Sequence, residues 1–327
     1  MRKFIKNVIR EIFSLFIFCS GILSLYRFLA RRKITILNYH DIKGDDFERH
    51  VKYFIKQFNI ISLKECVDCL KEGRVRSNSL VITFDDGYQS FYKEIYPVLK
   101  KYNIHATVFL TTDFIGLRKL FWFDLVRVCF EEKNTEIFKK SIDDIKLDMD
   151  SIIGYLNKMK EDEKIKRVFE IIGEDRINNY NNKAEKYHVL NWEQIREMDA
   201  NLVCFGSHTM SHPILTKIPL EKARNEIFSS KEELEKKIGK KIKYFAYPNG
   251  DYSDFNDEIV KILKEADFAC AVTTIDGYCE KGDDLFKLKR KVVDGNFSIT
   301  CLAAKIVGLW IPLSRKKIGN IKFKVIL

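Results

Sequence analysis

The chain has 327 residues, of which 46% are hydrophobic and 31% charged, a balance that excludes a disordered or low-complexity protein. Proline is scarce and no repeat recurs at a period of about 20–50 residues, which excludes a solenoid and leaves a length that suits a single α/β barrel. The net charge of +11 favours an anionic partner such as membrane lipid or an acidic glycan, and no nucleic-acid-binding signature accompanies the lysines.

Residues 1–33 carry Arg2, Lys3, Lys6 and Arg10, then an uncharged run from Ile12 to Tyr26, then Arg27, Arg31, Arg32 and Lys33. As a helix that run spans roughly 22 Å at about 1.5 Å per residue, short of a hydrocarbon core of roughly 30 Å. It reads as a membrane-associated helix lying in or dipping into the interface, held by basic flanks. A single span and a buried helix of the globular domain are the competing readings. No small-residue cleavage site marks a removable signal peptide.

The sequence from residue 34 alternates between strand and helix. ITILNYHDI (34–42) reads as a strand, 45–58 and 62–73 as helices, the second capped by Gly73. Strands follow at 79–86 and 105–116 with a helix at 90–103 between them, the spacing of parallel βαβ units. Residues 117–187 are rich in lysine and acidic residues with intermittent apolar stripes, and read as a helical insertion. The rhythm then resumes. Helices are expected at 190–199, 220–239 and 256–267, and strands at 201–209, 241–250, 268–274 and 288–294. Residues 301–327 read as an apolar and basic tail. The fold expected is α/β: a distorted, incomplete (β/α) barrel over residues 34–300. In such barrels the reacting groups lie at the C-terminal strand ends, where His40, Asp85, Asp86, His208 and the YPNG turn fall.

The eight cysteines form no framework. Cys66 and Cys69 make a C-x-x-C without a second pair, so free thiols on a helix and a reducing compartment are expected.

Chemistry enters at LVITFDDGYQS, where Asp85 and Asp86 stand side by side at the mouth of a strand, and at GSHTMSHP, where His208 and His212 lie four apart. Hydrolysis of an unactivated amide is helped by a cation that acidifies water and polarises the carbonyl. Such an ion takes imidazoles and a carboxylate, and a second carboxylate can accept a proton. His212 precedes Pro213, so a strand end running into a loop, rather than a helix, must bring the two rings together.

TFDDG (83–87) and SHTMSHP (207–213) resemble the first two motifs of the polysaccharide deacetylases, the NodB-homology or carbohydrate esterase family 4 domain. NYHDI, NWEQIREM and FAYPNGDY resemble the branch found in bacterial surface-polysaccharide pathways. The resemblance covers roughly residues 34–116 and 188–295. It implies Asp85 as catalytic base, Asp86, His208 and His212 as ligands of a divalent ion, and Thr209 as a residue that orients the loop. Zinc is the first expectation for that ion, and cobalt, nickel, iron or manganese fit the same donors. It implies oxyanion stabilisation at the turn of Tyr247, Pro248 and Asn249, through backbone N–H near Asn249.

Two departures stand out. Where the family's third motif often begins with an arginine that holds the base, this chain has Ala246; Arg290 is the candidate replacement. No histidine follows His212, so the proton for the leaving group is expected from His40 or from Asp85 after it has accepted one. The function expected is removal of acetyl groups, N-acetyl first, from an N-acetylhexosamine unit of a surface polysaccharide or its lipid-linked precursor. The alternatives are a catalytically weak glycan-binding protein on the same fold and a hydrolase of another bond. The localisation expected is the cytoplasmic face of a bacterial inner membrane, with a single-span anchor and an external catalytic domain as the alternative.

Overall fold

In the computed structural model, which describes residues 2–142, 146–198 and 202–309, eight strands form one parallel sheet. They are β1 (Thr35–Tyr39), β2 (Asn59–Ile60), β3 (Ser79–Phe84), β4 (Ala106–Leu110), β5 (Val203–Ser207), β6 (Tyr244–Ala246), β7 (Cys270–Val272) and β8 (Lys291–Val292). The spatial order is β7-β6-β5-β4-β3-β1-β8, with β2 paired to β3. The Leu288–Val293 segment reaches both ends of that order. Thr273 donates to the Leu288 carbonyl (2.9 Å) and Arg290 to Ile275 (3.0 Å), while Val293 donates to Asn38 on β1 (2.9 Å). The sheet therefore curls into the incomplete barrel expected. The strand expected at 288–294 is confined to β8, and Arg290 immediately precedes it.

Alternation along the strands sorts residues into two layers. Ile36, Val81, Phe109, Ala246 and Val272 form one apolar cluster, whereas Leu37, Ile82, Val108, Phe245 and Ala271 pack in another with the surrounding helices. The β1–β3 register pairs Asn38 with Thr83, each two residues beyond Ile36 and Val81. Polar groups thus continue the Ile36–Val81 face as a buried layer beneath the strand ends.

The expected helices at 45–58, 62–73, 220–239 and 256–267 form as Gly44–Gln57, Leu63–Glu72, Leu220–Ile238 and Asp257–Glu265. Gly73 and Gly239 end theirs in the left-handed region. Cys66 and Cys69 lie on the Leu63–Glu72 helix, and all eight cysteines are free. The insertion is helical and has its own core, built from Leu125, Val126, Phe138, Leu156, Val168 and Ile172 among others.

The amino-terminal run is broken. Helices Arg2–Cys19 and Ile22–Leu29 meet at Gly21 (φ 76°), and Val8–Cys19 and Ile22–Leu29 are bent by 75° relative to one another. Among the described residues no single helix is long and apolar enough to cross a membrane. Ile17 and Leu23 pack on Ala303 and Val307 of a carboxyl-terminal helix, Ile299–Ile306, and its following turn. Residues 310–327 of the expected tail lie outside the described residues.

Gly206 on β5 allows β4, β5 and β6 to approach closely. An added Cβ would stand 2.5 Å from Phe109 Cδ1 and 2.8 Å from the Tyr244 carbonyl. Gly206→Ala is expected to destabilise the fold by about 1–3 kcal/mol through overpacking. An unchanged denaturant midpoint would contradict that close approach.

Candidate active site

The strand ends deliver the acidic and imidazole groups to one cavity of about 300 Å³, lined by His40, Asp85, Asp86, His208, His212 and Asn249 among others. Asp85 and Asp86 follow β3, and the chain turns there through two left-handed residues, Asp86 (φ 67°) and Gly87 (φ 70°). Thr209, His212 and Asn249 are also left-handed, so backbone strain concentrates around the cavity. Strain of this kind persists only where neighbouring contacts fix the loop. Thr209 Oγ1 accepts the His212 amide (3.0 Å), and Glu226 of the Leu220–Ile238 helix accepts the Met210 and Ser211 amides (2.8 and 2.9 Å).

The two aspartates occupy opposite electrostatic environments. Arg290, fully buried, grips Asp85 with two hydrogen bonds, Nη1 to Oδ1 (2.8 Å) and Nη2 to Oδ2 (2.7 Å). Asn38 Nδ2 also donates to Oδ2 (2.9 Å), while Arg290 itself donates from Nε to the Thr273 carbonyl (2.7 Å) and from Nη1 to Thr83 Oγ1 (3.1 Å). Burial alone would raise the Asp85 carboxyl, but the Arg290 charge, then His208 and the paired hydrogen bonds, hold it well below the usual carboxylate range. Burial and the neighbouring Asp85 charge push Asp86 the other way, well above that range.

Asp86 Oδ1 is buried and has no hydrogen-bond partner. Facing it are His208 Nε2 at 3.6 Å and His212 Nε2 at 3.4 Å. The Asp86, His208 and His212 donor atoms lie within 4.8 Å of one another and can hold a metal ion. His208 Nδ1 bonds to the Ala246 carbonyl (2.7 Å), which fixes Nδ1 as the protonated nitrogen and turns the Nε2 lone pair toward Asp86. Burial lowers the basicity of both imidazoles, so both are neutral near neutral pH and could serve as ligands. A buried acceptor without a partner and two neutral imidazoles facing it fit a divalent cation, which would in turn favour ionised Asp86.

The remaining candidates separate. His40 follows β1 and lines the cavity, where desolvation lowers its imidazole to about 4, and Asn249 lines it too. Tyr247 does not belong to the site. Its ring is fully buried against Phe255 (centroids 4.4 Å apart), its hydroxyl donates to the Phe286 carbonyl (2.9 Å) and its amide to Val272 (3.2 Å). Pro248 has no N–H and serves the bend, its carbonyl accepting the Gly250 amide (2.7 Å). The oxyanion candidates thus reduce to Asn249.

Sequence reasoning missed a whole wall of the cavity. Trp122, Phe123, Arg127, Ile153, Asn157 and Lys164 all come from the insertion. Phe121 and Phe123 set their rings edge-on to His212, at 5.5 and 5.3 Å. Arg127 Nη1 donates to Asp124 (2.7 Å), which also accepts from the Tyr88 hydroxyl (2.8 Å). Asp124 is raised to about 7, chiefly by burial. A buried acidic residue within WFDLVRV was the available signal, but an amphipathic surface helix reads the same way.

The fold is shared with a Streptococcus pyogenes deacetylase, PplD, solved with acetate (TM-score 0.57, 20% identity, 86% of this chain and 99% of that one). IcaB from Ammonifex degensii is also similar (TM-score 0.58, 19% identity, 85% and 96%). A family model described as polysaccharide deacetylase matches residues 72–271, and the chain belongs to that family of hydrolases. Among curated relatives, a putative polysaccharide deacetylase of Bacillus subtilis, YxkH, is 24% identical over 284 residues, covering 84% of this chain and 76% of that protein. The poly-beta-1,6-N-acetyl-D-glucosamine N-deacetylase of Staphylococcus aureus is 31% identical over 103 residues, 31% of this chain and 34% of that protein.

Removing the clamp tests the electrostatics. Arg290→Met is expected to destabilise the fold by about 3–5 kcal/mol, because Asp85 is left buried and unpaired. The Asp85 carboxyl is depressed in the folded protein, so its contribution is present above the ordinary carboxylate pKa and fades as pH falls through the folded value. Stability of the wild type relative to Arg290→Met should therefore shrink on acidification, and Asp85→Asn added to Arg290→Met should recover part of the loss. A pH-independent difference in urea midpoints would contradict the clamp.

Proposed function

We propose that the protein is a metal-dependent deacetylase that hydrolyses the N-acetyl group of N-acetylhexosamine units in a surface polysaccharide or its lipid-linked precursor. The observation that carries this reading is the convergence of Asp86, His208 and His212 within 4.8 Å, with an arginine-held aspartate next in sequence. The name of the Staphylococcus aureus relative supports an N-acetylglucosamine polymer as the substrate.

A divalent ion, zinc first by its nitrogen and oxygen donors, would be held by Asp86 and the Nε2 atoms of His208 and His212 and would supply Lewis acidity toward the acetyl carbonyl. The chain's own groups do the rest. Asp85 stays ionised and accepts a proton from the attacking water; Arg290 and Asn38 fix its direction. The backbone N–H at Asn249 is the donor assigned to the tetrahedral oxyanion. As the C–N bond breaks, the leaving nitrogen takes the proton that Asp85 accepted from the water, or takes it by way of His40, which desolvation holds down to about 4 and which is therefore neutral near neutral pH until it receives that proton; acetate and a free amine result. Phe121 and Phe123 hold water away from one side of His212.

The amino-terminal helices support attachment to a membrane surface. Ile12 and Phe16 are each 64% exposed, and Phe28 and Leu29 stand out from the second helix, with Arg27 just before them and Arg31, Arg32 and Lys33 just after. A bent helix pair docked against the barrel suits an in-plane interfacial position better than a span. Eight free cysteines suit the cytoplasmic face.

Asp85→Asn is expected to lower acetate release by about 10²–10⁴-fold while bound metal, read by mass spectrometry, stays at the wild-type level. Loss of the metal would mean that the two aspartates exchange roles. His40→Gln with unchanged turnover would remove His40 as proton donor. Ile12→Glu combined with Phe16→Glu should release the protein from sedimenting anionic vesicles without altering its melting temperature; continued sedimentation would place the attachment elsewhere.

A further inference from the structure

The loop that carries His208 and His212 takes its shape from side chains. Thr209 (φ 69°) and His212 (φ 63°) are left-handed, a conformation that residues with a Cβ hold only where neighbouring contacts fix it. Each amide N–H from Thr209 to Ile214 donates to a side-chain oxygen, Pro213 having none. Thr209 donates to Ser207 Oγ (3.3 Å), Met210 and Ser211 to Glu226, His212 to Thr209 Oγ1, and Ile214 to Glu161 Oε1 (3.0 Å). Glu226 thus holds the chain just before His212, and Glu161 holds it just after. Ser207, Thr209 and Glu226 belong to β5, its loop and the helix that follows, whereas Glu161 comes from the insertion. The same Glu161 oxygen accepts Lys164 Nζ (2.8 Å), and Lys164, 1% exposed, lies over the Trp122 ring at 4.5 Å. The Glu161–Ile172 helix is anchored in the insertion's core by Val168 and Ile172. Two neighbours of Glu161 act on the same stretch of chain. The Asn157 carbonyl accepts from Lys217 Nζ, and Asp162 pairs with Lys222 (2.9 Å).

We infer that Glu161 is a positioning residue for the metal site: by accepting the Ile214 amide it holds His212 Nε2 opposite Asp86 Oδ1, at 3.4 Å, and makes metal affinity depend on the helical insertion. The inference rests on the reading of Asp86, His208 and His212 as metal ligands. It gives the insertion a part in building that centre, beyond walling the cavity. Without the carboxylate, the amide of the buried Ile214 loses its acceptor, and the left-handed His212 loses a contact that fixes the chain leaving it. The ion would then have to order the loop as it binds, and that ordering is subtracted from its affinity. Lys164 offsets the charge of a carboxylate that would otherwise be buried alone.

The test uses full-length variants that separate the amide contact from the buried charges. Glu161→Gln with Lys164→Met keeps an acceptor for Ile214, whereas Glu161→Leu with Lys164→Met removes it, and neither pair leaves a lone charge buried. Zinc affinity, read by competition with a chromophoric chelator, should be about tenfold weaker in the second pair than in the first. The melting temperatures of the metal-free proteins check the fold. Ile214→Pro removes the same hydrogen bond from the donor side, at a φ of −70° that proline accepts, and should weaken zinc binding relative to wild type by a similar factor. If the second pair does not fold, Ile214→Pro decides. Equal zinc affinity in the two pairs, or an affinity that Ile214→Pro leaves unchanged, overturns the role of Glu161 while the metal reading stands. A wild-type chain that binds no zinc overturns both.

Discussion

Two adjacent carboxylates, both buried, set the terms for the rest of the molecule. Asp85 and Asp86 are 2% and 3% exposed, and neither can remain charged there alone. The fold answers Asp85 with Arg290, a fully buried guanidinium that reaches from just before the last short strand to the end of the third. It answers Asp86 with two neutral imidazoles that provide lone pairs and no charge, leaving a buried oxygen without a partner. A single cation held there would remove that imbalance. Neighbours in sequence thus acquire different chemistry because one faces a fixed positive charge and the other faces a place suited to a mobile one.

The barrel makes this division possible through register. Asn38, Thr83 and Asp85 continue the face of β1 and β3 that carries Ile36 and Val81, so they form a polar layer over an apolar one, and Arg290 enters that layer from the segment that links the two ends of the sheet. The imidazoles come from the loop after β5, held in a strained path by Thr209 and Glu226. The insertion supplies the opposite wall, so the helices that interrupt the strand rhythm shape the approach to the metal donors. Its Glu161 reaches the backbone just past His212, which couples a helical core to the catalytic loop.

Much of this was legible in the chain. Strand–helix spacing gave a parallel barrel, and TFDDG with SHTMSHP picked out residues that converge in the structure, because short motifs at strand ends keep their positions whenever the strands are parallel. Gly73 and Gly239 marked helix ends since only a left-handed residue stops the helix there cheaply. Other features depended on tertiary contact. Tyr247 stood in a promising turn, but strand alternation continued through it and buried the ring against Phe255. The break at Gly21 was hidden by an unbroken apolar run, and the packing of the Ile299–Ile306 helix by a tail that looked peripheral. Trp122, Arg127 and Lys164 have ordinary amphipathic surroundings in sequence, and only the docking of the insertion brings them to the cavity.

X-ray absorption at the zinc edge of the reconstituted protein tests the central claim most directly. Ligation by Asp86, His208 and His212 predicts a first shell of nitrogen and oxygen at about 2.0–2.2 Å with multiple scattering from two imidazoles, and its loss in Asp86→Asn. Sulfur scattering at about 2.3 Å would assign the ion to cysteines instead and contradict the account of the paired aspartates.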